Sequence, residues 1–168
     1  MADYRCLLPI QLKDFKLVAL LDTGNTWKSA ISKELATKLG VVMDRLIPPE
    51  PGFRLATADQ TADLKVLGQL PGPLIFRAGE GRYRVRPVVI EGLNGHMNLS
   101  GPWMAHQDWT LRPKRGQAFD ASGKLLPLRS FQGQEAINSF TPLRPSVRLR
   151  HEARVAEEVV VPRAQLRS

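Results

Sequence analysis

The chain has 168 residues, 43% of them hydrophobic and 24% charged, which is room for one domain of ordinary size with a real apolar core. It holds no aliphatic run of about 18 residues able to span a bilayer and no basic, apolar, small-residue start of the secretory kind, so the expectation is a soluble, cytoplasmic chain with no membrane partner. Its single cysteine, Cys6, excludes an internal disulfide and a zinc knuckle, and the net charge of +8 is concentrated late: residues 112–168 carry 11 Lys/Arg against 5 Asp/Glu, whereas residues 1–111 carry 13 against 11.

Short apolar runs separated by turn residues fill the first 128 positions, with the thirteen glycines and thirteen prolines acting as punctuation, and this pattern predicts a mostly β fold. In chain order the predicted strands are CLLPIQL, KLVALLD, FRLATA, LKVLGQL, PLIFR, RYRVRPVVI, WTLRP and KLLPLRS. PLIFR and RYRVRPVVI are joined by Ala78-Gly79-Glu80-Gly81, a short hairpin loop. The segment SAISKELATKLGV breaks the β rhythm. Ser32 can cap a helix there, Glu34 falls in its first turn, Leu35, Ala36 and Leu39 share a face, Lys38 lies in the last turn and Gly40 ends it. A second helical turn is predicted from Pro102, because proline suits the first helical position.

From about residue 130 the sequence turns polar and proline-punctuated, so residues 1–129 are read as the domain and 130–168 as a basic polar linker or C-terminal arm, with a strand-like patch at Val159–Val161. The basic C-terminal third is compatible with nucleic-acid contact, although a solvated basic surface is the commoner source of such an excess and no recognition motif accompanies it. In RYRVR, Arg82, Arg84 and Arg86 share one strand face opposite Tyr83 and Val85, again a pattern that solvation alone explains. His96, His106 and His151 lack metal-ligand spacing, and Ser29 and Ser100 lack a nucleophile elbow. Trp27, Trp103 and Trp109 could stack on bases, but the last two flank the second helix and suit a core or a dimer contact.

One junction carries chemistry. The oily strand LVALLD runs into Asp22-Thr23-Gly24, where glycine permits a tight turn and a close approach of the backbone. The bland reading is an Asx-turn at a strand end, with the carboxylate bonded to the next backbone N–H groups. About eighty residues on lies GHMNLSGPWM, in which Leu99, Ser100 and Gly101 lead into the second helix.

In this combination the sequence resembles the retropepsin-like aspartic proteases, especially those of long-terminal-repeat retrotransposon polyproteins. The resemblance covers about residues 5–128 and rests on Asp22-Thr23-Gly24, on Leu99-Ser100-Gly101 with PWMAHQDW, and on FRLATADQTADLKVLGQL as the hairpin flap between them. RVAEEVVVPRAQ is similar to the segment that joins protease to reverse transcriptase in such polyproteins. The chain departs from the family at Asn25, where Ala or Ser is usual, at Ser100, where an aliphatic residue is usual, and at a flap without a glycine at its tip.

The resemblance implies an all-β, closed-barrel acid protease fold with one or two short helices. It implies an obligate homodimer too, because the chain has one Asp-Thr-Gly and the chemistry needs two carboxylates. It further implies an aspartic endopeptidase that needs no metal or other cofactor, with Asp22, Thr23 and Gly24 as the catalytic triplet. Asn25, Ala58 and Asp59 would contact a peptide or polyprotein substrate, and the setting would be cytoplasmic or inside a virus-like particle. Two other readings stay open: a retropepsin-like domain kept for dimerisation or peptide binding without turnover, and a basic nucleic-acid-binding module in which the triplet is accidental.

Overall fold

The structure, a computed structural model, describes residues 6–50, 64–129 and 140–142. Strands β1 (Cys6–Leu12) and β2 (Phe15–Asp22) pair antiparallel in unbroken register from Cys6 opposite Leu21 to Leu12 opposite Phe15. Their alternate residues Leu8, Ile10, Leu12, Leu17, Ala19 and Leu21 all enter the main core, the outcome expected when side chains of a strand point to opposite faces in turn. The predicted strands CLLPIQL and KLVALLD are therefore found within a residue.

Next come β3 (Ala30–Ser32), helix α1 (Lys33–Lys38) and a 3₁₀ turn at Met43–Arg45. The Ser32 hydroxyl accepts from the Leu35 amide at 3.0 Å, Glu34 and Lys38 complement the two ends of the helix, and Gly40 leaves it at a φ of 82°. Leu35, Ala36 and Leu39 are fully buried, so α1 is held by its packing face more than by its six-residue length.

The following strands are β4 (Lys65–Gln69), β5 (Leu74–Ala78), β6 (Gly81–Val85), β7 (Val88–Glu91) and β8 (Met97–Ser100). Helix α2 (Gly101–His106), β9 (Thr110–Arg112), a 3₁₀ turn at Pro113–Arg115, β10 (Gln117–Phe119) and β11 (Phe140–Pro142) complete the described chain. RYRVRPVVI, predicted as one strand, is two: Pro87 has no N–H to give a ladder, and beside it the Arg86 Nε donates to the Leu70 carbonyl at 2.7 Å. KLLPLRS is not a strand; it makes isolated bridges at Leu125 with Phe119 and at Arg129 with Leu7. FRLATA lies outside the described residues, as does Val159–Val161. Within the stretch from residue 130, Phe140–Pro142 pairs with the start of β2.

Among the described residues the main sheet has nine strands in the order β4-β7-β3-β8-β2-β1-β5-β6, with β11 added alongside β2, and β9 and β10 form a separate ribbon. The sheet curls into a half-barrel around the core. Its centre is β8, which arrives from far along the chain and inserts between β2, its parallel neighbour, and β3, its antiparallel one. Every residue of β8 is buried. Behind α2, Phe76, Tyr83, Trp103 and Trp109 pack with ring centroids 5.0–6.2 Å apart, mostly edge to face, and the Trp103 Nε1 donates to the Arg84 carbonyl at 2.8 Å. This cluster ties α2 to the β5–β6 hairpin and so fixes where β8 ends.

Candidate active site

Because β2 and β8 run parallel, they finish side by side, with Asp22 registered against Ser100. The chain leaves β2 into the loop 23–29 and leaves β8 into α2, and the loop is stitched to the helix start by the Gly101 amide, which donates to the Asn25 carbonyl at 2.9 Å. A β-carbon on Gly101 would stand 3.4 Å from both the Asn25 and Thr23 carbonyl oxygens, so the crossing is tight.

The Asp22 carboxylate, half-buried, is held on both oxygens by neutral amides. Oδ1 accepts from the Gly24 N–H at 3.0 Å, and Oδ2 accepts from the Asn98 Nδ2 at 2.9 Å. The first of these is the Asx-turn of the bland reading, here present together with a second anchor from a remote strand. Thr23 and Gly24 are exposed, and the Thr23 hydroxyl makes no hydrogen bond among the described residues.

Asn25 faces inward. Its Nδ2 donates to the Lys28 carbonyl at 2.8 Å and to the Asn98 Oδ1 at 2.9 Å, while its Oδ1 accepts from the Trp27 amide at 2.9 Å. A carboxylate can only accept here, so it sets the direction of the whole relay: Asn98 must turn its amide nitrogen toward Asp22 and its oxygen toward Asn25. The unusual residue after Asp-Thr-Gly thus braces the loop and, through Asn98, the carboxylate.

Ser100, the second departure from the family pattern, also has a structural reason. Its Oγ accepts from the Trp103 amide at 3.2 Å and caps α2, and its N–H donates to the Ser29 Oγ at 3.0 Å. Ser29 in turn donates to the Ser100 Oγ at 3.4 Å, and both serines are buried. An aliphatic residue would keep the backbone bond to Ser29 but lose both bonds made at the Oγ, the helix cap included.

Of the six residues expected to form the site, Asp22, Thr23, Gly24 and Asn25 lie together in one loop, and Ala58 and Asp59 fall outside the described residues. Sequence reading missed Asn98. Its signal was available: a polar residue between Met97 and Leu99 in an otherwise apolar run needs a partner if the run is buried. Beyond Asn25, the loop leads to a cavity of about 270 Å³ lined by Trp27, Ile47, Pro48, Val66 and Val88, with Lys28 Nζ donating to the Gln69 Oε1 at 3.1 Å on its rim.

Comparison by sequence finds no matching family model and no matching curated protein. Comparison by structure finds the retroviral protease-like domain of Ddi1 from Leishmania major, with a TM-score of 0.60 at 13% identity, over 79% of this chain and 99% of that one. A retropepsin-like aspartic protease from Rickettsia conorii aligns at 17% identity over 73% of this chain and 79% of that one, with a TM-score of 0.39, too low to carry an argument. The fold is retropepsin-like.

Proposed function

We propose that this chain is an aspartic endopeptidase that acts as a homodimer, each copy contributing Asp22 to one site. The observation that carries the reading is the Asp22 carboxylate, held at the end of a buried strand by two amides and flanked by the exposed Thr23 and Gly24, in a retropepsin-like fold. A single carboxylate cannot both take a proton from water and give one to the carbonyl oxygen. Two that face each other share one proton, as in aspartic proteases as a class, and do both.

The step is then simple. The ionised Asp22 takes a proton from water as the water oxygen bonds to the scissile carbonyl carbon, and the protonated partner subunit's Asp22 gives its proton to the carbonyl oxygen. The tetrahedral diol collapses, a proton passes to the amide nitrogen, and the C–N bond breaks to leave a carboxylic acid and an amine. Gly24 would let water and substrate backbone come close, and the exposed Thr23 hydroxyl would bond across the two-fold axis of the proposed dimer. An extended peptide would bind by backbone hydrogen bonds with alternate side chains in pockets, and the cavity beside Trp27 suits an apolar one. As substrate we propose the polyprotein of a retroelement, a finer reading supported by RVAEEVVVPRAQ and the order of the sequence elements.

The test is a mixing experiment with the full chain. Asp22→Asn should keep the fold and abolish cleavage of a peptide library. When it is mixed with an equal amount of wild type and allowed to exchange, only about one dimer in four keeps two carboxylates, so activity per wild-type chain should fall about twofold. Cleavage by the variant alone would end the catalytic claim, and activity unaffected by mixing would end the shared site.

A further inference from the structure

The outer face of the β2-β1-β5-β6 half of the sheet carries a row of side chains that the catalytic reading leaves unused. Lys16 is registered opposite Gln11, Gln11 opposite Arg77, and Arg77 opposite Arg82. Residues directly opposite in a sheet point to the same face, and all four are exposed. With strands spaced about 4.8 Å apart, the row runs about 14 Å across four strands. Arg84 stands on the same face two residues along β6, and Arg129 joins Lys16 and Arg77 in lining a cavity of about 550 Å³ on this side of the sheet.

Among the described residues no carboxylate pairs with Lys16, Arg77, Arg82, Arg84 or Arg129. The acid in the β5–β6 turn, Glu80, is taken by Lys124, whose ammonium holds the Glu80 carboxyl below its ordinary range. Like charges directly opposite one another weaken a sheet, and the Arg77–Arg82 pair is such a case. A face that keeps this repulsion, with no acid among the described residues to relieve it, is suited to have the charge answered from outside.

We infer that this face is a docking surface for the phosphate backbone of a nucleic acid. An acidic peptide carries its charge intermittently, whereas a nucleic acid presents one anion at every residue to a row whose charges are all positive, with the neutral Gln11 between Lys16 and Arg77. Four of the five cations are arginines, whose planar fork takes two phosphate oxygens at once. The nearby aromatics Phe76, Tyr83 and Trp103 are committed to the packing behind α2, so among the described residues no stacking platform accompanies the row. Binding is therefore through phosphates, indifferent to base sequence and steeply salt-dependent. The surface is separate from the loop of Asp22 and does not depend on peptidase activity.

The experiment measures anisotropy of a fluorescent 20-nucleotide oligouridylate with the full chain from 50 to 300 mM salt. Replacing Lys16, Arg77 and Arg82 together by Thr should weaken binding at least tenfold near 100 mM salt and flatten the log–log salt slope by about 2, at about 0.7 for each lost phosphate contact. The same charge removed from the tail, Arg144, Arg148 and Arg150→Thr, should cost less than threefold. Arg82→Thr alone should leave the melting temperature unchanged or raised, which separates lost binding from lost folding. Equal losses in the two triple variants would overturn the inference, as would displacement of the oligonucleotide by polyglutamate at equal charge concentration, or no binding by wild type at 50 mM salt.

Discussion

Replacing Asn98 by Ala removes two hydrogen bonds at once, one to the Asp22 Oδ2 and one from the Asn25 Nδ2. At about 1 kcal/mol net for each bond, the variant should lose about 2 kcal/mol of stability. Replacing Asn25 by Ala removes three, to the Lys28 carbonyl, the Asn98 Oδ1 and the Trp27 amide, for about 3 kcal/mol on the same scale. The bond between the two asparagines is common to both changes, so the double variant should lose only about 4 kcal/mol, leaving a coupling of about 1 kcal/mol. Chemical unfolding of the four proteins at one fixed protomer concentration measures this cycle, the fixed concentration keeping any contribution of the proposed dimer the same in all four. In a chain of this size Asn98→Ala should also lower the melting temperature by about 6 °C. Losses that add to within about 0.3 kcal/mol would refute the relay. If Asn98 positions Asp22, the same variant should lower kcat by about 10- to 100-fold with KM little changed, since the carboxylate is free to turn but the peptide cleft is intact. A rise in KM at constant kcat would refute that part of the reasoning.

Two other outcomes follow from single atoms. A β-carbon on Gly24 would stand 3.2 Å from the Asp22 Oδ1, so Gly24→Ala should displace the carboxylate by a few tenths of an ångström and, if Asp22 is catalytic, cut kcat about 10-fold, while the melting temperature moves by only a few degrees. Burial pushes the Cys6 thiol above its ordinary value of 9.0, so the unfolded chain gives up this proton first as pH rises. The linked stability is therefore whole below about pH 9 and lost above it, and Cys6→Ala, compared with wild type between pH 8 and 10.5, should flatten the decline; a parallel decline in both proteins would assign it to other groups.

What could be read from sequence was what short-range physics decides. The Ser32 cap, the Gly40 exit and the buried triplet Leu35, Ala36 and Leu39 lie within nine residues of one another, and α1 is where they place it. The hairpin of β1 and β2 follows from the period-2 pattern, and the exit of β2 into Asp22-Thr23-Gly24 from the abrupt change in polarity. Strands β3 and β8 were not legible because each is only three or four residues long, and neither β3, met on the way into a helix cap, nor β8, interrupted by Asn98 and Ser100, looks like a strand until it is paired. The polar side chains that complete the site are long-range: Asn98 to Asp22, Ser100 to Ser29, Asn98 to Asn25. Sequence alone shows them as blemishes in apolar runs. Asn25 is the instructive case, since its side chain, expected at the substrate, is engaged with Lys28, Trp27 and Asn98.

The threading of β8 between β2 and β3 has a consequence in time. Asp22 leaves the ribosome 76 residues before the asparagine that anchors its Oδ2, a delay of about 4 to 15 s at ordinary rates of synthesis. Contacts of this span are also slow to close, because the intervening chain must surrender its freedom before the pairing rewards it. A nascent chain that stops short of residue 97 therefore presents Asp22 on a strand edge with one amide to hold it. Completion of the carboxylate's surroundings is a late event in the life of the molecule, and that interval is built into the order in which the chain is translated.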